Sequence, residues 1–119
     1  MRLAEMAFLH SLQGTNMTKI IIFSDDGSVL SSVSAPLALD GFARAAKSAE
    51  PYSPNHPSYA KGYIINLYLA DGQRREFEFH TMPQDKMIYV DFVQRTGDWT
   101  SYYGNCKSAA LFDWLKGQI

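Results

Sequence analysis

Apolar residues gather in two short strand patterns that each run into an Asp-Gly pair. Residues 19–23 form a dense β-branched and aromatic run, Ser24 to Ser28 carry turn chemistry around Asp26-Gly27, and residues 29–33 return as a weaker, serine-rich strand. Residues 63–69 lead into Asp71-Gly72 in the same way. Asp-Gly between apolar runs is a strong short-range signal for a β-hairpin.

The second hairpin allows a register to be derived. With a loop of Asp71-Gly72 alone, Leu67 would face Glu76 and Ile65 would face Glu78, setting apolar side chains beside charged ones. A loop of Ala70-Asp71-Gly72 with Gly72 left-handed instead pairs Leu67 with Arg75, Ile65 with Phe77 and Tyr63 with Phe79. The inner face is then apolar. The outer face, with Ile64, Asn66, Tyr68, Arg74, Glu76, Glu78 and His80, reads as mostly solvated.

Residues 87–93 predict a further strand with Ile88, Val90 and Phe92 inward and Met87, Tyr89 and Asp91 outward. Residues 96–103 read as a sixth short strand or as a loop packed by Trp99. Helical spacing marks residues 36–49, where Ser34 is placed to cap, Pro36 suits the first turn, and Leu39, Phe42, Ala43 and Ala46 recur on one side. Residues 108–116 predict a closing helix buried through Leu111, Trp114 and Leu115, with Gly117 at its end. Leu3, Met6, Ala7, Leu9 and Leu12 line one side of a short helix stopping at Gly14.

These elements predict an α+β domain: an antiparallel sheet of five or six strands in the order ββαβββ(β)α, with two helices packed on one face and a short helix ahead of them. Residues 1–16 read as an extension and 17–119 as the single domain, with Met17 an alternative start to Met1. The expected core is Ile20, Ile22, Phe42, Ile65, Leu67, Phe77, Phe79, Ile88, Val90, Leu111, Trp114 and Leu115.

Composition narrows the partners. A net charge of −1 from 11 basic and 12 acidic residues, mixed along the chain, offers no electrostatic footprint for nucleic acid or an anionic membrane. The single Cys106 allows no internal disulfide, so a reducing cytoplasm is the expected location. The first residues do not read as a signal peptide, because Glu5 and His10 interrupt the apolar stretch.

Candidate chemistry is sparse. Pro51, Pro54 and Pro57 stiffen a loop carrying Tyr52, His56 and Tyr59, a combination suited to recognition but also to a plain crossing of the sheet edge. His56 and His80 lack the local spacing of metal ligands, so no metal and no cofactor are expected. Tyr52, His56, Tyr59 and His80 are the candidate binding residues. Cys106 near the start of the last helix is a nucleophile candidate if His80 or His56 reaches it, and otherwise a small buried thiol. Two registers compete for the outer carboxylates: one sets Glu76 opposite Asp91, the other pairs Arg74 with Asp91 and Lys86 with Phe79. A solvated charged face is the simpler reading of both.

The segment from Tyr63 onward, with its Asp-Gly hairpin, the Ile88-Tyr89-Val90 strand and the closing Leu111-Phe112-Asp113-Trp114-Leu115 helix, resembles small uncharacterised bacterial α+β domains. That resemblance implies a fold and no residue roles. The functional expectation is a non-enzymatic binding or protein-interaction module, with a small enzyme or small-ligand-binding domain as the alternative. A homodimer is expected, because a short sheet leaves edges that need covering, with residues 19–23 or their hairpin partner as the contact and residues 1–12 as an alternative cover.

Overall fold

A computed structural model describes residues 3–51, 61–82, 86–96 and 99–119, with backbone alone for 3–5, 61, 92–96 and 99–105. The described elements are helix α1 (Leu3–Ser11), a 3-10 turn (Gly14–Asn16), strands β1 (Met17–Ser24) and β2 (Val29–Val33), helix α2 (Pro36–Ala46), strands β3 (Glu50–Pro51), β4 (Lys61–Leu69), β5 (Arg74–Met82), β6 (Met87–Thr96) and β7 (Trp99–Ser108), and helix α3 (Ala109–Gln118). The seven strands form one antiparallel sheet in the order β2-β1-β4-β5-β6-β7-β3. The class is α+β.

Both hairpins close on the same turn. In the first, the Ser24 N–H donates to Ser28 O and the Gly27 N–H to Ser24 O, and in the second Leu69 donates to Gln73 and Gly72 to Leu69. Asp26 and Asp71 each accept the N–H two residues on, at 2.9 Å, and Gly27 and Gly72 both have φ of 90°. Each is a three-residue loop whose left-handed third position suits glycine. The β4–β5 register follows as expected, with Leu67 opposite Arg75, Ile65 opposite Phe77 and Tyr63 opposite Phe79.

Strand alternation then sends Ile20, Ile22, Ile65, Leu67, Phe77, Phe79, Ile88 and Val90 to one side, where they join Phe42, Leu111, Trp114 and Leu115 in one buried cluster. Every residue of the expected core lies in it. Trp114 ties α3 to α2: its indole N–H donates to Ala38 O at 2.9 Å, and its ring meets Phe42 edge-on at 4.9 Å between centroids. Helix α1 adds Leu9 and Leu12 to the same cluster. His10 Nε2 bonds Ala49 O at 2.7 Å, and the Lys47 ammonium donates to Leu12 O, so α1 is fastened to the end of α2.

Four sequence expectations need correction. The sheet has seven strands because Glu50–Pro51 pairs with β7 at the far edge, where a proline's missing N–H costs no ladder bond. Residues 99–108 form a full ten-residue strand. Ser34 does not cap α2, whose N-cap is Ala35 without a side-chain bond, and α2 ends at Ala46. Residues 19–23 are not an edge, since β1 lies between β2 and β4.

Trp114→Ala should destabilise the fold by about 3 to 5 kcal/mol, measured by urea unfolding, because it opens a cavity between two helices and removes the indole's hydrogen bond to Ala38 O. Gly72→Ala should cost about 1 kcal/mol in the same assay. A Cβ at Gly72 meets nothing within 4 Å, so that cost is backbone strain alone.

Candidate functional site

The outer face of β4, β5 and β6 holds the densest set of ionisable side chains among the described residues. Its arrangement follows from parity: with Phe77 and Phe79 inward, Glu76, Glu78 and His80 must project outward, as must Asn66 on β4 and Tyr89 and Asp91 on β6. The β5–β6 ladder sets Glu78 opposite Asp91, His80 opposite Tyr89 and Phe79 opposite Val90. This overturns both registers derived from sequence. Strand β5 continues through Met82, and the backbone turns at Lys86 with φ of 50°, so the carboxylate facing Asp91 belongs to Glu78, not Glu76, and Arg74 is not its partner.

His80 sits between the two acids, with Nε2 3.2 Å from Asp91 Oδ2 and 3.6 Å from Glu78 Oε1. Opposite it on β4 is Gly62, and a Cβ there would lie 3.5 Å from His80 Nδ1, so the imidazole rests against bare backbone. The Tyr89 ring lies 6.0 Å away at 42°. The site is far from solvated: the side chains of His80, Glu78 and Asp91 are 15–20 % exposed, and Asn66 is 6 % exposed. Central strands have neighbours on both sides, which shelters outward side chains that an edge strand would leave in water.

One Nε2 carries at most one hydrogen, and Asp91 is within reach of it while Glu78 stands beyond hydrogen-bond distance. Glu78 and Asp91 are like charges directly opposite, an arrangement that destabilises a sheet. On the same face Asn66 Oδ1 is buried without a hydrogen-bond partner. A buried acceptor left without a donor costs about 1–3 kcal/mol.

Of the sequence candidates, His80 lies in this cluster. Tyr52, His56 and Tyr59 fall outside the described residues. Cys106 does not meet His80: it lies on β7 opposite Val90, fully buried on the inner face, two residues before the Ser108 N-cap of α3. Burial foremost, with the nearby Asp91 charge, pushes its thiol up to about 12, the reverse of nucleophile activation. His10 serves the α1–α2 fastening described above. Among the described residues no group of three or more His, Cys, Asp or Glu side chains could hold a metal ion, and no helix is long and apolar enough to cross a membrane.

Two open clefts lie elsewhere. One, of about 380 Å³, runs between α1 and the β4–β5 turn past Phe8, Asn16 and Asp71, and the other, of about 500 Å³, lies beside the start of α2 past Thr18, Leu37 and Asp40. Neither gathers more than one ionisable side chain. Compared with protein-family models, curated proteins and solved structures, the chain matches none.

Sequence reasoning missed Asn66 and Glu78 as site residues. The available signal was the pairing of an amide and acids on the face opposite the core, and it needed the β5–β6 register to become visible.

Cys106 supplies a pH prediction. Its thiol is pushed up to about 12 from an ordinary 9.0, so its contribution to stability is complete below about pH 9 and is lost as pH rises towards 12. The slope should approach about 1.4 kcal/mol per pH unit in that window. Cys106→Ala should remove this component from stability curves measured by urea unfolding between pH 8 and about 11.

Proposed function

We propose that this protein is a non-enzymatic binding module whose recognition surface is the outer face of β4, β5 and β6. The observation that carries the reading is the sheltered Glu78–His80–Asp91 cluster beside the partnerless Asn66 Oδ1. Groups of this kind cost stability in the free protein, and such costs concentrate where a ligand later compensates them. The alternative, a small enzyme, draws on the His80–Asp91 contact, which is the pairing that orients a general base. The chain's one thiol cannot serve that base as a nucleophile, because it is locked in the core on the opposite face. The cytoplasmic location expected from that single thiol belongs to the same reading.

The test is an NMR titration of the full-length protein with a fragment set containing cations, anions and neutral donors. The expected result is that shift changes cluster on the amides of Asn66, Glu78, His80 and Asp91. Changes confined to the clefts beside α1 or α2 would overturn the reading.

The second part of the proposal is self-association through β2. With β1 covered on both sides, β2 is the uncovered edge of the β1–β2 hairpin. It carries no charged residue to repel a second copy, and Val29 and Leu30 are 61 % and 42 % exposed. Antiparallel pairing of two β2 strands gives a symmetric contact that uses the same patch on both copies. Sedimentation equilibrium at micromolar concentration should report a dimer, and Leu30→Lys should return it to monomer. A monomeric parent protein would refute this part and leave the binding face untouched.

A further inference from the structure

We infer that the outer-face cluster binds the guanidinium group of a small organic cation, an inference that rests on the proposed binding face. Three acceptors point to it: Asn66 Oδ1 on β4, the Glu78 carboxylate on β5 and the Asp91 carboxylate on β6. Asn66 Oδ1 is buried without a partner, Glu78 lies 3.6 Å from His80 Nε2, and Asp91 shares that same Nε2 position. The opposed Glu78–Asp91 pair and the partnerless Asn66 Oδ1 call for donors and positive charge. A ligand that supplies both removes the Glu78–Asp91 repulsion and satisfies the amide oxygen at once.

The spacing selects among cations. The acceptors stand on three successive strands, each about 4.8 Å from the next, with Asn66 diagonal to Glu78 across the β4–β5 ladder. A bare metal ion needs its ligands gathered within about 2.0–2.6 Å of one point, and among the described residues no group has that convergence. A primary ammonium is a compact point charge, whereas guanidinium is a rigid plane with five N–H donors directed outward along three sides. Such a plane can pair with Glu78 and Asp91 along two edges and donate to Asn66 along the third.

The probe is agmatine, a guanidinium compound without a carboxylate, titrated into the full-length protein at low ionic strength and followed by backbone and Asn side-chain NMR shifts. The expected result is saturable binding with Kd of about 1 mM or tighter, with the largest changes at Asn66, Glu78 and Asp91. Glu78→Gln and Asn66→Leu should each weaken it at least about tenfold, which is about 1.4 kcal/mol. Asp113→Asn, on the exposed side of α3, should leave it unchanged. Glu78→Gln preserves the side-chain shape, and the spectrum of each variant without probe shows that it is folded.

Equal binding of butylamine, or agmatine binding that Glu78→Gln does not weaken, would overturn the guanidinium assignment while leaving the binding face in place. So would outer-face shifts produced by anions or neutral donors alone. Tighter binding of an end-capped Gly-Arg-Gly peptide than of agmatine, by tenfold or more, would overturn the small-molecule assignment in favour of a protein arginine. If no probe of any charge perturbs the outer face, the inference and the reading it rests on fall together.

Discussion

One backbone constraint underlies the rest of the structure: the left-handed conformation of Gly72 in the β4–β5 turn. A loop one residue shorter would slide β5 by one position and send Phe77 and Phe79 to the side now occupied by Glu78 and His80. The core would then receive two carboxylates and an imidazole at the centre of the sheet, and burying them would cost more than a domain of this size has in reserve. With Gly72 at φ of 90° the apolar rows of β1, β4, β5 and β6 align, and α2 and α3 have a continuous surface to cover. Core and outer-face site are two sides of one register.

The two turns flanking β5 explain why half of the site was legible in the sequence and half was not. Gly72 announces its own conformation, because glycine is the residue that tolerates a positive φ without penalty, and the β4–β5 ladder could be written down from that alone. The β5–β6 turn places Lys86 at φ of 50°, a conformation that a lysine gives no sign of adopting. Without a marker, the competing ladders could be separated only by side-chain pairing, and the one adopted sets two acids opposite each other. The two ladders weighed from sequence set Glu76 or Arg74 opposite Asp91, and neither is the one adopted.

Face assignments survived that error for a simple reason. The adopted ladder differs from the one pairing Glu76 with Asp91 by an even number of residues, and an even shift exchanges partners while leaving every side chain on its face. Ile88 and Val90 were therefore placed correctly in the core, and His80 and Asp91 correctly outside it, although who meets whom was wrong. Burial escaped the sequence for a different reason. Alternation reveals which side a residue faces but not how far from an edge its strand lies, and the outer face of β5 is sheltered because the chain adds β6, β7 and β3 beyond it.

The distribution of cost in the fold sets the outer-face polar groups apart from the other described ones. Ser108 accepts the Leu111 N–H at 3.0 Å, Asp26 and Asp71 close their turns, and His10 and the Trp114 indole reach backbone oxygens, so each of these polar groups has its partner. On the inner side, the Cys106 thiol stays neutral in apolar surroundings and burial costs it little. Among the described residues, only on the outer face do a buried amide oxygen without a donor and a directly opposed pair of acids occur together. An apolar or hydroxyl side chain at position 66 or 78 would suit the free protein better, and strand propensity would favour it. That local imbalance is the feature the proposed ligand, bringing donors and positive charge, would complete from outside.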